Sequence, residues 1–211
     1  MAAISKVSIF NRALLKLGAK AIESFTENSK NARIGALLYD TTVQEVLTDT
    51  IWNFAQKRVE LATVSDTLAF DDDGMSVIYQ KPSDMLKVNF VNIPTAIYKL
   101  EGDKILSNQS GLKIKYTWNI TDPAKFFIKF REALETKLAA HIAYPITAKT
   151  TLAAELFKLY YDEVLPAAKA QDAQQGTPQS PNQNEWLDSR IIGSSSIAGN
   201  TGDETWYPVG C

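Results

Sequence analysis

The chain offers few side chains with which to do chemistry. It holds one histidine, His141, and one cysteine, Cys211. Protein zinc sites draw on several histidines and cysteines at once, so an imidazole–thiolate zinc site is excluded. A Ser-His-Asp triad would have to use His141, three residues after Leu138 on an apolar helical stripe, and no Gly-x-Ser-x-Gly turn accompanies it. His141 reads instead as a boundary histidine, hydrogen-bonded to a neighbour. Neither a phosphate-cradling Gly-x-x-x-x-Gly-Lys loop nor a dinucleotide fingerprint is present. Asp71-Asp72-Asp73-Gly74 is the best candidate for a hard cation, but it lacks the Asp/Asn alternation and distal Glu of a calcium loop. It reads as a solvated turn. Any two acids can meet in space, so a glycoside-cleaving carboxylate pair stays open, with no pair singled out. The expectation is a protein that is not an enzyme, with no catalytic residues, cofactor or metal.

Lys81, Lys87, Lys99, Lys104, Lys113 and Lys115 interleave with Tyr98 and Tyr116 in the middle of the chain. Such a pattern can build a stacking sheet for nucleic acid. Strand lysines opposite apolar residues more often form the solvated face and discourage edge pairing, and that is the reading adopted. The formal net charge of −2 shows no overall footprint for wrapping nucleic acid. Residues 171–211 carry five acids against Arg190 alone, a balance of −4 that leaves residues 1–170 at +2. The lone cysteine has no intrachain partner, which leads us to expect a reducing place of synthesis. Ile4 to Leu17 is amphipathic rather than continuously apolar, unlike a signal peptide. No stretch approaches the roughly 20 apolar residues of a membrane span.

The elements that would position these groups are mostly helical. Ile4, Val7, Phe10, Leu14 and Leu17 fall at three- and four-residue steps, with Gly18 as a stop signal. A second stripe runs from Ala32 through Tyr39, Val43 and Leu47 to Ile51, predicting a helix over 29–52. The pattern then alternates around Val59 and Leu61, from Met85 to Asn92, and from Lys113 to Trp118, and Tyr98–Leu106 reads as a hairpin about Glu101-Gly102-Asp103. Asp122-Pro123 supplies a cap and first-turn proline for a third helix, ended after Tyr144 by Pro145. Leu152, Leu156, Leu159, Tyr160 and Val164 predict a fourth over 151–168. The expected fold is mainly α (α+β): a four-helix bundle over 4–17, 29–52, 123–144 and 151–168. A small antiparallel β-region over 57–118 is inserted in it, and an extended C-terminal arm follows.

The expected boundary lies at residue 170. Beyond it, a Gln/Ser/Pro/Asn-rich stretch has too few apolar groups to offset its ordering entropy, so alone it should be extended or disordered. It nonetheless carries Trp186, Leu187, Ile191, Ile192, Trp206 and Tyr207, spaced too widely for a core of their own. Large apolar anchors on a polar arm suit docking onto another subunit, since aromatic groups filling pockets are the usual energetic centres of interfaces. Ordering only on docking would keep the free subunit a soluble monomer.

Four segments together resemble a known family. They are Phe10-Asn11-Arg12-Ala13-Leu14-Leu15-Lys16-Leu17-Gly18; Ile51-Trp52-Asn53-Phe54-Ala55 leading into Lys57-Arg58; the hairpin Tyr98–Leu106; and Lys115-Tyr116-Thr117-Trp118 followed by Thr121-Asp122-Pro123, Phe127, Phe130, Ala133-Leu134 and Leu138-Ala139-Ala140. In this order and spacing they resemble the adaptor, or tail tubular protein A, of short-tailed bacteriophages, over roughly Ile9 to Leu165. The resemblance implies a structural virion protein at the head–tail junction, assembled in the host cytoplasm. Its expected partners are the capsid portal protein, the tail tube or nozzle protein, and its own copies in a ring of twelve, with no membrane. The ring would continue the channel of DNA ejection, and genomic DNA would pass without sequence-specific binding. In the family a C-terminal extension reaches onto the portal or a neighbouring subunit, which fits the arm. No family motif fixes the contacts, so the six anchors rest on chemistry alone. Trp52, Phe54 and Trp118 read as core. A head-completion or tail plug protein at the portal is the alternative, and a virion-associated cell-wall hydrolase a remoter one.

Overall fold

The computed structural model describes residues 4–66 and 74–176. The acidic cluster Asp71–Asp73 and all six arm anchors, Trp186, Leu187, Ile191, Ile192, Trp206 and Tyr207, lie outside the described residues.

Local capping chemistry sets the first two helices. Helix α1 (Lys6–Lys16) begins where the Ser5 hydroxyl accepts the Ser8 N–H and Ser8 reciprocates toward the Ser5 backbone. It stops at Gly18, whose φ of 66° suits a residue without Cβ. Helix α2 (Lys30–Asp49) starts from the Ser29 side chain, which accepts the Ala32 N–H. Gly35 lets α2 approach closely: a Cβ there would lie 2.7 Å from the Phe25 ring and 2.8 Å from that of Phe10.

After a 3-10 turn, Asn53–Ala55, the chain builds six strands: β1 (Gln56–Glu60), β2 (Val77–Gln80), β3 (Met85–Val91), β4 (Tyr98–Glu101), β5 (Lys104–Ser107) and β6 (Lys113–Trp118). They form two antiparallel three-stranded sheets, ordered β1-β6-β3 and β2-β5-β4. The β4–β5 hairpin turns at Gly102, with φ of 59°, as its sequence required. Met85, Ile114 and Tyr116 from the first sheet pack with Tyr79 and Ile105 from the second, along with Leu61 and Leu112, giving the β-region its own core. Within it the Tyr79 hydroxyl donates to Gln109 O and accepts the Leu112 N–H, so burial leaves it satisfied.

Helix α3 (Ile128–Thr147) follows, then α4 (Thr150–Leu159), a π-turn (Tyr160–Val164) and α5 (Leu165–Ala173) in unbroken succession. The last helical run reaches Ala173 rather than the expected 168, past the expected boundary at 170, and both ends of α3 also differ from expectation. Asp122-Pro123 caps a separate 3-10 turn, Pro123–Lys125, and α3 starts only at Ile128. Pro145 does not end α3. The helix runs on to Thr147 and closes with Ala148 in the left-handed region, whose N–H bonds Tyr144 O. The Lys30 ammonium donates to Pro145 O at 2.5 Å, satisfying a terminal carbonyl from α2.

The four-helix bundle is incorrect; the fold is α+β. A bundle helix shows one apolar stripe to a shared core. Here α3 is a hub, buried around most of its circumference, including Glu135, Thr136 and Lys137. It packs against α1, α2, α4 and α5, whereas α1 and α2 touch only sparsely. The β-region is also more than a projection from helices, since it is two sheets around a core of its own. An aromatic joint closes the helical core where the chain leaves it for the β-region and where it returns. Trp52 sits edge-on to Phe130 at 5.2 Å, and Phe54 meets Phe127 at 5.2 Å and Phe130 at 4.9 Å. Trp52 is fully buried, while Phe54 and Trp118 are half-buried around the same core.

Candidate functional site

Three groups of polar side chains stand out, and the first contains His141. Glu45 and Asp49 lie one turn apart on α2, and Lys137 and His141 lie one turn apart on α3, so two acids face two bases across the helix seam. Lys137 Nζ sits 2.7 Å from Asp49 Oδ2 and 3.4 Å from Glu45 Oε2. His141 Nε2 is 2.9 Å from Glu45 Oε2, and its ring stands edge-on to Phe157 at 5.1 Å. The π-turn brings in Tyr160, which donates to Asp49 Oδ2 at 2.5 Å while its ring lies 5.2 Å from Lys137 Nζ. Burial, then the bond to Asp49, pushes the Tyr160 phenol well above its ordinary range. Each charge has a partner, and Lys137 is 3% exposed. The group locks α2, α3 and the π-turn together. His141 is the hydrogen-bonded boundary residue that its position suggested. Lys137, Asp49 and Tyr160 escaped sequence reading, although the two facing i, i+4 pairs were a signal for the seam.

A second group joins the first sheet to the chain entering the helices. Lys57 Nζ contacts Asp84 Oδ2 at 2.5 Å, and the Tyr116 hydroxyl donates to Asp84 Oδ1 at 2.9 Å. The Lys57 hydrogen bond, helped by Tyr116, holds the Asp84 carboxyl below its ordinary range. Burial and Asp84 push the Tyr116 phenol up to about 12. Lys57 and Lys125 both lie over the Trp118 ring, at 3.9 and 5.1 Å. Tyr116 is therefore a buried, engaged residue and not an open stacking platform.

The third group pins the end of α5. Asp172 is 3% exposed and accepts the Asn53 N–H through Oδ2 at 2.7 Å, while Asn53 Nδ2 donates to Asp172 O at 2.8 Å. Burial holds this carboxyl above its ordinary range, against the Asn53 and Phe54 N–H groups that favour its charged form.

A cavity of about 160 Å³ lies elsewhere, lined by Tyr39, Asp40, Val43, Gln44, Asn119, Ile120 and Thr121. The buried Tyr39 hydroxyl has no hydrogen-bond partner, and burial, then Asp40, raises its phenol. Among the described residues, no group of three or more His, Cys, Asp and Glu side chains could hold a metal ion. No helix among them is long and apolar enough to cross a membrane.

No family model matches this chain, and no curated protein matches it. Its surfaces therefore carry the functional reading. Strand β4 pairs only with β5, and its other edge meets no strand among the described residues. Along it Ile97, Tyr98 and Leu100 are 56%, 36% and 50% exposed. Protein edges are commonly blunted by charge, proline or cover; β4 carries Lys99 and Glu101, and Tyr98 and Leu100 alternate with them as exposed apolar groups. Of the six lysines in the sequence pattern, Lys104 is paired with Asp66 and Lys113 with Glu60. Lys87 and Lys115 share an outward sheet face with Arg58.

Proposed function

We propose that the chain is a structural virion protein: an adaptor of the tail tubular protein A type, whose copies form a ring joining a bacteriophage portal to the tail tube or nozzle. The observation that carries this reading is the aromatic joint. Two segments of the resemblance, one around Trp52-Asn53-Phe54 and one around Phe127 and Phe130, lie more than seventy positions apart in sequence, yet their rings pack together at 4.9 to 5.2 Å. Residues that look like separate fragments of a family pattern thus act as one structural unit, the point where the chain leaves and re-enters its helical core.

The β4 edge, unpaired among the described residues and carrying exposed Tyr98 and Leu100, gives further support. A ring subunit needs two different side surfaces that pair head-to-tail and close after a fixed rotation, and an open edge is one such surface. Contact with the portal or a neighbouring copy is assigned to Trp186, Leu187, Ile191, Ile192, Trp206 and Tyr207. No catalytic step is assigned to the chain, and DNA crosses the ring without sequence-specific contact.

The test is co-sedimentation of the purified chain with its cognate portal rings, full-length and cut after Gly176. The cut is placed there because α5 and its Asp172–Asn53 pin must be kept. Full-length protein should travel with the portal and the shortened chain should not. Binding by both would move the interface from the six anchors to the folded body. Binding by neither would remove the adaptor reading.

A further inference from the structure

The two faces of the β1-β6-β3 sheet differ sharply in chemistry. Directly paired residues of an antiparallel sheet project to the same side. Val59, Ile114, Tyr116, Val88 and Val91 turn inward onto the core of the β-region. The opposite face carries Arg58, Lys115 and Phe90 as one row across three strands, because Arg58 pairs with Lys115 and Lys115 with Phe90. Lys87 joins them one row along, paired with Thr117. The placement is borne out by contact, since Lys115 Nζ lies 6.0 Å from the Phe90 ring centroid.

Three cations of the described strands have an acid to neutralise them. Lys57 has Asp84, Lys104 has Asp66, and Lys113 has Glu60. Arg58, Lys87 and Lys115 have no carboxylate at ion-pair distance among the described residues, and Arg58 and Lys87 are exposed. Beside them Phe90 is 58% exposed. A ring held open among cations without an ion-pair partner, on one face of a sheet, suits a ligand with anionic links and flat apolar faces in alternation.

We propose that this face binds single-stranded nucleic acid, with Arg58, Lys87 and Lys115 on backbone phosphates and Phe90 stacked on a base. Strands about 4.8 Å apart place the Arg58 and Phe90 positions roughly 10 Å from each other, a span that one stretch of backbone can cross. Base stacking on an aromatic side chain is tolerant of sequence, because every base presents a π-face. A duplex keeps its bases stacked on one another and leaves Phe90 nothing to engage. An acidic protein surface fits less well, since interfaces between proteins centre on packed apolar cores and this face has one ring. The assignment stands apart from the adaptor reading, which asks only that DNA pass without sequence-specific contact.

The test uses the full chain and fluorescence anisotropy with a labelled twenty-nucleotide oligothymidylate. Three phosphate contacts at a slope of about −0.7 each predict a log–log salt slope of about −2, so affinity should fall roughly 20-fold between 50 and 200 mM salt. Reversing Arg58, Lys87 and Lys115 together to Glu should abolish binding and leave the melting temperature in place. If that variant fails to fold, the triple Gln substitution serves the same purpose. Phe90→Ala should weaken binding about tenfold without changing the salt slope, from the typical worth of one stacked base. Lys149→Glu, on the helical part of the chain, should change nothing. Failure to bind at 50 mM salt, binding that survives the triple substitution, or equal affinity for polyglutamate would each overturn the proposal. Equal affinity for duplex with no effect of Phe90→Ala would overturn the single-strand assignment.

Discussion

Replacing Lys137 with methionine tests the charged seam most cleanly, because the new side chain keeps the length and bulk of the old one and removes only the ammonium. The lysine side chain is 4% exposed, so its charge is satisfied almost wholly by Asp49 at 2.7 Å and Glu45 at 3.4 Å. Without it, Asp49 keeps only the Tyr160 hydroxyl and Glu45 only His141. Removing one partner of a buried ion pair costs about 3–5 kcal/mol, chiefly through the charge left behind. Asp49 and Glu45 retain 20% and 40% side-chain exposure, and water there screens part of the penalty. A loss of about 2–4 kcal/mol is expected after that discount. For a chain of this length that corresponds to a melting temperature roughly 5–12 °C lower. Urea unfolding followed by tryptophan fluorescence reads it directly, with the fully buried Trp52 as a core reporter. The pair Lys137→Met with Asp49→Leu, made in a Tyr160→Phe background so that no buried phenol loses its acceptor, should recover part of the loss, because only Glu45, which keeps His141, then faces the site. A single-variant loss under about 1 kcal/mol, the range of surface ion pairs, would refute the reasoning. So would a double variant no more stable than the single one in that background, since the loss would then come from packing.

Three other outcomes follow from the same geometry. Gly35→Ala should destabilise by about 1–2 kcal/mol: the gain in helix propensity is outweighed by pushing Phe10 and Phe25 off their contacts. A more stable variant in urea unfolding would show that those rings can move aside. The folded state holds a proton on Asp172 more tightly than the unfolded chain does, so this group's contribution falls as pH rises from about 4 through the raised value, then levels. Asp172→Asn should therefore gain in melting temperature relative to the native chain as pH increases across that window, and a constant difference would contradict the assignment. Leu100→Lys, at a half-exposed edge position, should shift stability by no more than about 0.5 kcal/mol yet abolish ring formation, read by sedimentation velocity in the presence of portal. Unimpaired rings would take β4 out of the interface.

How far the sequence could be read depended on whether local chemistry decided the outcome. Ser29 and Gly18 act within a turn of their own positions, so the end of α1 and the start of α2 were legible, while the Ser5 cap went unread behind a stripe that starts at Ile4. The β4–β5 hairpin was legible for the same reason, its Gly102 turn being a local demand. Val77–Gln80 was missed, because four residues between two turn signals are too few to show a period. Tertiary packing decided the rest. An apolar stripe on α3 suggested one buried face, but partners on several sides buried Glu135, Thr136 and Lys137 as well, and only the fold supplies those partners. Pro145 normally stops a helix, yet here a lysine from α2 and the left-handed Ala148 complete the ending two residues later. The π-turn that points Tyr160 at Asp49 left no trace in the apolar spacing. Of the nucleic-acid pattern, the sequence named Lys87 and Lys115 but also Tyr116, which is engaged with Asp84, and it overlooked Arg58 and Phe90. Strand register, which no single strand reveals, sorted them.

Electron microscopy of the full-length chain mixed with its cognate portal bears most directly on the adaptor role. The account predicts a second ring stacked on one end of the portal, sharing its axis and continuing its central channel. Bare portals at every mixing ratio, beside a chain that remains monomeric, would contradict it.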